Sequence, residues 1–532
     1  MADQQSPQTV TLTIDGQEVT VPKGTTLLKA AESIGINIPH YCYHPGLSSP
    51  AMCRLCLVEV EGWPKLAPSC KEMAQDGQVI LTDSEKAQRQ RTGVLEFYLV
   101  NHPLDCPICD QSGECKLQDY VFSQGREHGR GREPKRVLGR DDFGGDILFN
   151  ADRCVMCTRC VRFMREVAED ERLTVVERGS RAIIDTFFDK GLEGSSFAGN
   201  IVDICPVGAL ISKDFLHKAR AWDLDRTPSV CPSCSQGCNI TLDVRDNLVQ
   251  RLKPRENLEV NGWWMCDFGR HNYEWMNRDD RLETPLVKGE AAGWKEALEG
   301  LMARLENAQG GAKGLIWAHS SNEEMGMLKA LLDALGSREI VYRSPRAQDE
   351  TPLPGYPSLV RRRDLAPNVN GAEIFGFSRV GDDNAEGGLE GLADHDGVLV
   401  VVGDPLADAG SEFGARAELF VYLGSYESPA AKNADFVLPI ATFAEQEGTF
   451  TNVQGRIQRF WAGLKVPGEA RPAWFILGAI LAEHLEREVP MGADQAFTQV
   501  ADLAPEFSGI TYKDLGTGGA PVNAPAGVSS GD

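Results

Sequence analysis

Cys154-Val-Met-Cys157-Thr-Arg-Cys160 decides how this chain must fold. Three thiols at two-residue gaps converge in a tight loop around one inorganic centre, and a fourth ligand returns from afar as Cys205-Pro206. The spacing is close to the run C-x2-C-x2-C-x3-C-P, with Met164 standing where that run has its last cysteine. In a two-cluster protein that cysteine serves the neighbouring cluster, so this segment is expected to hold only one. Zinc usually takes two separated ligand pairs and not a run of three. The expectation is therefore a [4Fe–4S] cluster on Cys154, Cys157, Cys160 and Cys205.

The bulk properties agree with an iron–sulfur protein. All fifteen cysteines fall between Cys42 and Cys266, and the remaining half of the 532 residues has none. Met1 to Val10 has neither the basic nor the apolar region of a secretory leader and is not Arg-rich like a transit peptide. In an unexported chain, clustered cysteines point to metal rather than disulfides. A net charge of −23 argues against a nucleic-acid partner and against adhesion to anionic lipid. No apolar run reaches the roughly 18 residues of a membrane helix, so membrane contact is expected only through partners.

Working outward, Thr9–Ile14 and Glu18–Val21 alternate as strands around an Asp15-Gly16 turn, and Thr25 or Thr26 can cap a helix over Leu27–Ile34. A cysteine loop follows with Cys42, Cys53, Cys56 and Cys70. The architecture is similar to plant-type ferredoxins of the β-grasp kind, although the gaps differ from theirs, and a [2Fe–2S] cluster is expected. His44 lacks the second histidine that a Rieske centre needs, so it is read as a neighbour.

Ser84 can cap a helix running through Val94, Leu95 and Leu99. Beyond it lie His102, Cys106, Cys109 and Cys115. Three cysteines leave the set one ligand short, so His102 is taken as the fourth; a neutral imidazole in place of a thiolate tends to raise a cluster's potential. Residues 125–145 read as a Gly-, Arg- and Asp-rich loop, and Leu173–Val176 and Ala182–Phe188 as strands. Arg153, Arg159 and Arg162 flank the 154–160 run, either tuning the centre or lying solvated at the surface.

A last set, Cys231, Cys234, Cys238 and Cys266, encloses a hairpin of Ile240–Val244 and Leu248–Leu252. Four sets need sixteen ligands, which fifteen cysteines and His102 supply. Beyond Trp275, helices (Trp294–Glu306, Glu323–Leu335) alternate with apolar strands (Gly314–Trp317, Val398–Val402, Leu419–Leu423), the pattern of a largely parallel α/β sheet. Gly403-Asp404-Pro405 lacks any phosphate-loop or dinucleotide fingerprint around it. From Ser508 the composition suggests a flexible tail.

These ligand sets, in this order, resemble the large iron–sulfur subunits of respiratory complex I. The segment from Ala434-Asp-Phe-Val-Leu-Pro439 through Glu445-Gln-Glu-Gly448-Thr-Phe-Thr-Asn452 to Gly455-Arg456 resembles the molybdopterin-oxidoreductase fold carried by that family. The resemblance implies a multidomain α+β and α/β chain. Its parts are a [2Fe–2S] ferredoxin-like domain (1–83), a one-histidine, three-cysteine [4Fe–4S] domain (84–125) and a ferredoxin-like [4Fe–4S] domain (126–222). A four-cysteine [4Fe–4S] domain (223–285), a truncated molybdopterin-oxidoreductase-like domain without molybdopterin (286–507) and the tail (508–532) complete it. It implies electron transfer with no catalytic residue of its own. Electrons come from NADH through a flavin-bearing partner, entering at the Cys42 set, passing next to the Cys154 set and leaving from the His102 set to a ferredoxin-like iron–sulfur subunit. Other peripheral-arm subunits are further partners, with the membrane arm reached only indirectly, on the cytoplasmic face of the bacterial inner membrane. The Cys231 set is expected to be structural. An electron-transfer subunit of a soluble NAD-linked formate dehydrogenase or hydrogenase is the alternative. An iron-only hydrogenase can share this N-terminal half, but its catalytic cluster needs further cysteines after Cys266, and none exist.

Overall fold

The computed structural model describes residues 8–187, 189–381, 389–485 and 487–523. It divides into two compact units, one of Met1–Asp223 with Leu353–Tyr356, the other of Leu224–Pro352 with Pro357–Asp532.

In the first unit, β1 (Thr9–Ile14) and β2 (Gln17–Pro22) form the expected hairpin. Its turn residues Asp15 and Gly16 take φ of 47° and 81°, matching the twist of the strands. Thr26 caps α1 (Leu27–Glu32) by accepting from the Lys29 amide. β3 (Leu57–Val60), β4 (Ala67–Pro68) and β5 (Val79–Leu81) complete a sheet of order β2-β1-β5-β3-β4, in which β1 and β5 run parallel. Its core joins Leu12, Ile14, Leu28 and Val58 to Cys56 and Cys70, so that cysteine loop is seated directly on the sheet.

Ser84 caps α2 (Glu85–Leu99), which packs on α3 (Lys116–Gln124), a helix that the sequence pattern does not announce. The stretch 125–145, expected as loop, contains strand β6 (Arg140–Asp142). β6 pairs with β7 (Ile147–Asn150), ahead of α4 (Arg159–Glu166) and the β8 (Leu173–Val176), β9 (Ile183–Thr186) hairpin. The expected strand end at Phe188 lies outside the described residues. α5 (Asn200–Asp203) leads to β10 (Leu210–Ser212), which pairs with the other edge of β7.

The second unit opens with an antiparallel meander of β11 (Asp225–Val230), β12 (Asn239–Arg245) and β13 (Leu248–Pro254), followed by α6 (Asp267–His271). The short strands β14 (Leu286–Val287) and β15 (Glu290–Ala291) precede α7 (Trp294–Asn307), β16 (Ala312–Trp317), α8 (Asn322–Ala334) and β17 (Ile340–Arg343). β18 (Thr351–Pro352) and β19 (Val360–Arg361) pair with each other ahead of α9 (Val369–Ile374), β20 (Ser378–Arg379) and α10 (Glu390–Ala393). β21 (Val398–Val402), β22 (Leu419–Gly424) and β23 (Phe436–Pro439) finish the sheet, whose order is β15-β14-β23-β22-β21-β16-β17-β20.

From β20 to β23 the strands are parallel. Val400 and Val402 face one apolar core while Leu399 and Val401 face the other, which is why β21 reads as an unbroken apolar run. The chain runs outward from β16 to β20, then returns to build β21–β23 on the other side. The strand order therefore reverses between β16 and β21.

β24 (Gly448–Thr451) and β25 (Arg456–Phe460) form a hairpin, and α11 (Ala473–Leu485) and α12 (Ala493–Ala501) cover the sheet. The expectation of a free tail from Ser508 is corrected as far as Asn523. Thr511 caps α13 (Tyr512–Leu515), and the Tyr512 hydroxyl donates to the buried Glu323 carboxylate at 2.7 Å. β26 (Ala520–Pro521) then pairs with β25. Gly and Ala composition gives no sign of this because one buried aromatic and two strand residues suffice to anchor the segment. Residues 524–532 lie outside the described residues. Among the described residues no helix is long and apolar enough to cross a membrane.

Candidate metal centres

Cys42, Cys53, Cys56 and Cys70 are all buried and meet at one place. The Cys53 thiol lies against Cys42, which with burial raises its pKa; Cys70 reaches both Cys42 and Cys56. Ala51 and Arg54 take left-handed φ of 52° and 57°, the bends that turn the loop around its centre. Ser69 donates to the Cys56 carbonyl at 2.8 Å. His44 accepts the Gly46 amide on Nδ1 at 3.1 Å, and burial followed by the nearby Arg159 charge holds it near 3.

His102, Cys106, Cys109 and Cys115 border one cavity of about 400 Å³. α2 delivers His102 just past its C-terminal end, Cys106 starts a 3₁₀ turn, and Cys115 is the N-cap of α3. Burial, then the charge of Arg153, pulls His102 down to about 4, so its imidazole is neutral and keeps a lone pair to donate. Gly208 closes the cavity from the far side; a Cβ there would stand 2.2 Å from the Cys109 sulfur. Gly208 follows Cys205-Pro206-Val207, so the His102 and Cys154 sets share a wall.

Cys154, Cys157, Cys160 and Cys205 line a small void together with Val155, Val207 and Leu210. Met156 and Thr158, between the cysteines, take left-handed φ of 50° and 59°, and the Met156 amide donates to the Cys154 sulfur at 3.3 Å. Burial, then the neighbouring Cys157 thiol, pushes Cys205 up to about 11. Met164, in the position of the absent cysteine, is fully buried in the core.

The surface alternative for the flanking arginines is overturned: Arg153, Arg159 and Arg162 are 3, 4 and 5% exposed. Arg159 donates to the carbonyls of Ile204 and Tyr43, and Arg162 to those of Cys42, Ser48 and Cys157. Arg153 grips Asp105 at 2.8 Å, beside Cys106. Sequence spacing carries no signal for these links, because most of their acceptors are backbone carbonyls far along the chain.

In the second unit, Cys231, Cys234, Cys238 and Cys266 are all buried. The Cys231 amide donates to the Cys238 carbonyl at 2.8 Å, closing the loop between β11 and β12. Cys266 caps α6, its sulfur accepting the Gly269 amide at 3.3 Å. A Cβ on Gly269 would lie 3.0 Å from the Cys231 sulfur and 3.5 Å from that of Cys266. Burial, then the thiols of Cys231, Cys234 and Cys266, raises Cys238 well above the ordinary thiol range.

The donor chemistry of all four sets fits iron–sulfur clusters. Burial and the neighbouring thiols push most of these cysteines up, Cys56 being drawn down by Cys70, and a bound metal deprotonates the thiol it coordinates. Gly208 and Gly269 leave open the space that a side chain would take from the sulfurs.

Five family descriptions match the chain in succession. A 2Fe-2S iron-sulfur cluster binding domain covers residues 7–85, and an NADH-ubiquinone oxidoreductase-G iron-sulfur binding region covers 91–130. The ferredoxin-like domain of NADH-quinone oxidoreductase subunit 3 covers 144–211. A molybdopterin oxidoreductase Fe4S4 domain covers 224–278, and molybdopterin oxidoreductase covers 404–483. The NADH-ubiquinone oxidoreductase 78 kDa subunit of Neurospora crassa is 32% identical over 95% of this chain and 85% of its own. The Candida albicans protein of the same name is 31% identical over 90% and 83%. The NADH-ubiquinone oxidoreductase 75 kDa subunit of Reclinomonas americana is 41% identical over 63% of this chain, a match spanning 49% of that protein.

Proposed function

This chain belongs to the family of the large iron–sulfur subunit of respiratory complex I, and we propose that it holds one [2Fe–2S] and three [4Fe–4S] clusters on its four ligand sets. It is an electron-transfer subunit of an NADH–quinone oxidoreductase; a hydrogenase or formate dehydrogenase reading is not favoured beside these relatives.

The observation that carries the ligand assignment is the convergence of His102, Cys106, Cys109 and Cys115 on one cavity, with His102 neutral. Clusters of this kind, when bound, supply one-electron redox chemistry. The chain's own residues hold and shield them. Most of the thiols are buried away from water, with Cys106 the exposed one, and Arg159 and Arg162 fix the Cys42 and Cys154 loops against each other. The shared wall at Gly208 keeps the His102 set beside the Cys154 set. These contacts support the order Cys42 set, Cys154 set, His102 set.

By family, a flavin- and NADH-binding subunit stands before this chain and a ferredoxin-like subunit after it, with other peripheral-arm subunits around it. The site is the cytoplasmic face of the membrane, and nucleic acid is no partner. The C-terminal region is a shortened molybdopterin-oxidoreductase-like domain that carries no molybdopterin, and the Cys231 set is structural. Anaerobic iron and sulfide analysis with low-temperature EPR tests the assignment: about 14 irons per chain are expected. Stoichiometric zinc in their place overturns it.

A further inference from the structure

The cavity bordered by the His102 set has three charged residues in its wall, Asp105, Arg153 and Lys135. Two of them cancel. Arg153, 3% exposed, donates through Nε and Nη2 to one Asp105 oxygen at 3.0 and 2.8 Å. Exposed Arg140 reaches Asp105 only at 3.9 Å and is not part of the wall. Lys135 has no such counterpart. Its Nζ donates to the carbonyls of Leu99 and Val100 at 2.7 and 3.1 Å, and among the described residues it forms no ion pair with a carboxylate. The wall therefore carries one uncancelled positive charge.

That charge is fixed against the residues that lead into His102. The last carbonyls of α2 have no partner within the helix and form its negative end, and the Lys135 ammonium satisfies those of Leu99 and Val100. One residue on, the Arg136 amide donates to the Asn101 side chain at 3.0 Å. Leu99, Val100 and Asn101 immediately precede His102, so the cation and the imidazole share one anchored segment. The cation already acts on the set: burial first, then Arg153 and Lys135, pulls His102 down to about 4.

Reduction of a cluster adds one negative charge to a set that already holds three thiolates. A fixed cation nearby favours the reduced form over the oxidised one, whereas the Arg153–Asp105 pair, neutral as a whole, does so only weakly. We propose that Lys135 raises the reduction potential of the cluster held by His102, Cys106, Cys109 and Cys115, and so draws the electron to the set from which it leaves the chain. This inference rests on the ligand assignment above and goes beyond it by naming a residue outside the ligand set that fixes the potential.

The test is an EPR-monitored redox titration of the full chain with its clusters in place. The signal of the His102 set is identified first, by its loss or change in His102→Ala. Lys135→Gln and Lys135→Met remove the charge, and Lys135→Arg keeps it. In both neutral variants the reduced-to-oxidised ratio of that cluster, poised at the wild-type midpoint, should fall by about three- to tenfold, tenfold being about 59 mV for one electron. Lys135 is exposed, and water screening keeps the effect within this range. Lys135→Arg should stay at the wild-type ratio, and the Cys42 and Cys231 sets should not move in any variant. An unshifted His102 set in the neutral variants overturns the proposal. So does Lys135→Arg shifting as far as Lys135→Gln, or a shift shared by all four sets, since neither follows from a local charge. Loss of the cluster from both neutral variants would make Lys135 a structural clasp and overturn the proposal as well. A wild-type chain with no cluster on the His102 set would overturn the ligand assignment itself, and this inference with it.

Discussion

The Arg162 side chain bonds the backbone carbonyls of Cys42 and Cys157 at once, joining a residue of the first candidate ligand set to one of the third. A neighbouring link repeats the pattern: Glu166, on the same helix, accepts from the Ser48 amide at 3.0 Å and hydroxyl at 2.7 Å. Two loops distant in sequence are thus held as one rigid wall by charge-assisted hydrogen bonds, the stronger kind.

Arg162→Leu is expected to destabilise the first unit by several kcal/mol, since carbonyls left unpaired in a buried place cost about 1–3 kcal/mol each. Arg162→Lys should recover only part, because an ammonium lacks the planar fork. Thermal unfolding with EPR checks this: signals of the Cys42 and Cys154 sets should broaden while the Cys231 set is untouched. Equal perturbation of all four sets counts against a local role.

His102→Ala should remove or open one cluster and cut NADH-to-quinone flow, while the flavin-bearing partner still reduces artificial acceptors. His102→Cys should keep that cluster at a lower potential, because a thiolate adds negative charge. Unchanged spectra in both variants would return His102 to a packing role.

Gly208→Ala places a Cβ 2.2 Å from the Cys109 sulfur, and the structure has no room for both. Iron analysis should show the His102 set depleted, with the Cys42 and Cys231 sets retained. Full occupancy in the variant would mean that Cys109 does not point at the shared wall when loaded.

Cys234→Ala should lower the thermal midpoint of the second unit or its assembly, because metal bound to the Cys231 set cross-links the loop between β11 and β12 to the start of α6. Turnover per assembled complex should stay normal. Slow electron transfer in an intact, thermally normal complex would place that cluster on the electron path.

Burial lifts the Glu324 carboxyl to about 7, above the ordinary carboxylate range near ~4.3. The folded chain therefore holds this proton more tightly than the unfolded one. The resulting stabilisation is complete below the unfolded value, shrinks as pH rises, and is gone once pH passes about 7. Denaturant unfolding of the wild type and Glu324→Gln across this window should give a difference falling by on the order of 3 kcal/mol. A flat difference would show that Glu324 is ionised throughout.

The cysteine spacings, the helix caps at Thr26 and Ser84, and the apolar strands of the parallel sheet are all legible in the chain. Each rests on local geometry: a loop around one metal centre, a hydroxyl one turn from an amide, a two-sided strand. Helix α3 is not legible in the same way, because its first turn follows directly on Cys115, whose side chain makes no capping hydrogen bond and marks no helix start.

By itself, then, the sequence determined which sixteen residues are candidate ligands and which architecture follows them, because ligand number and side-chain periodicity are properties of short segments. Tertiary structure alone decided that Arg153, Arg159 and Arg162 are buried, that Gly208 closes the His102 site, and that Thr511–Pro521 packs instead of trailing free. It also decided that strand ends from across the sheet meet at one aromatic cavity. These outcomes depend on backbone carbonyls, glycine clearances and ring faces brought together from distant parts of the chain, and no local pattern encodes where such partners come to lie.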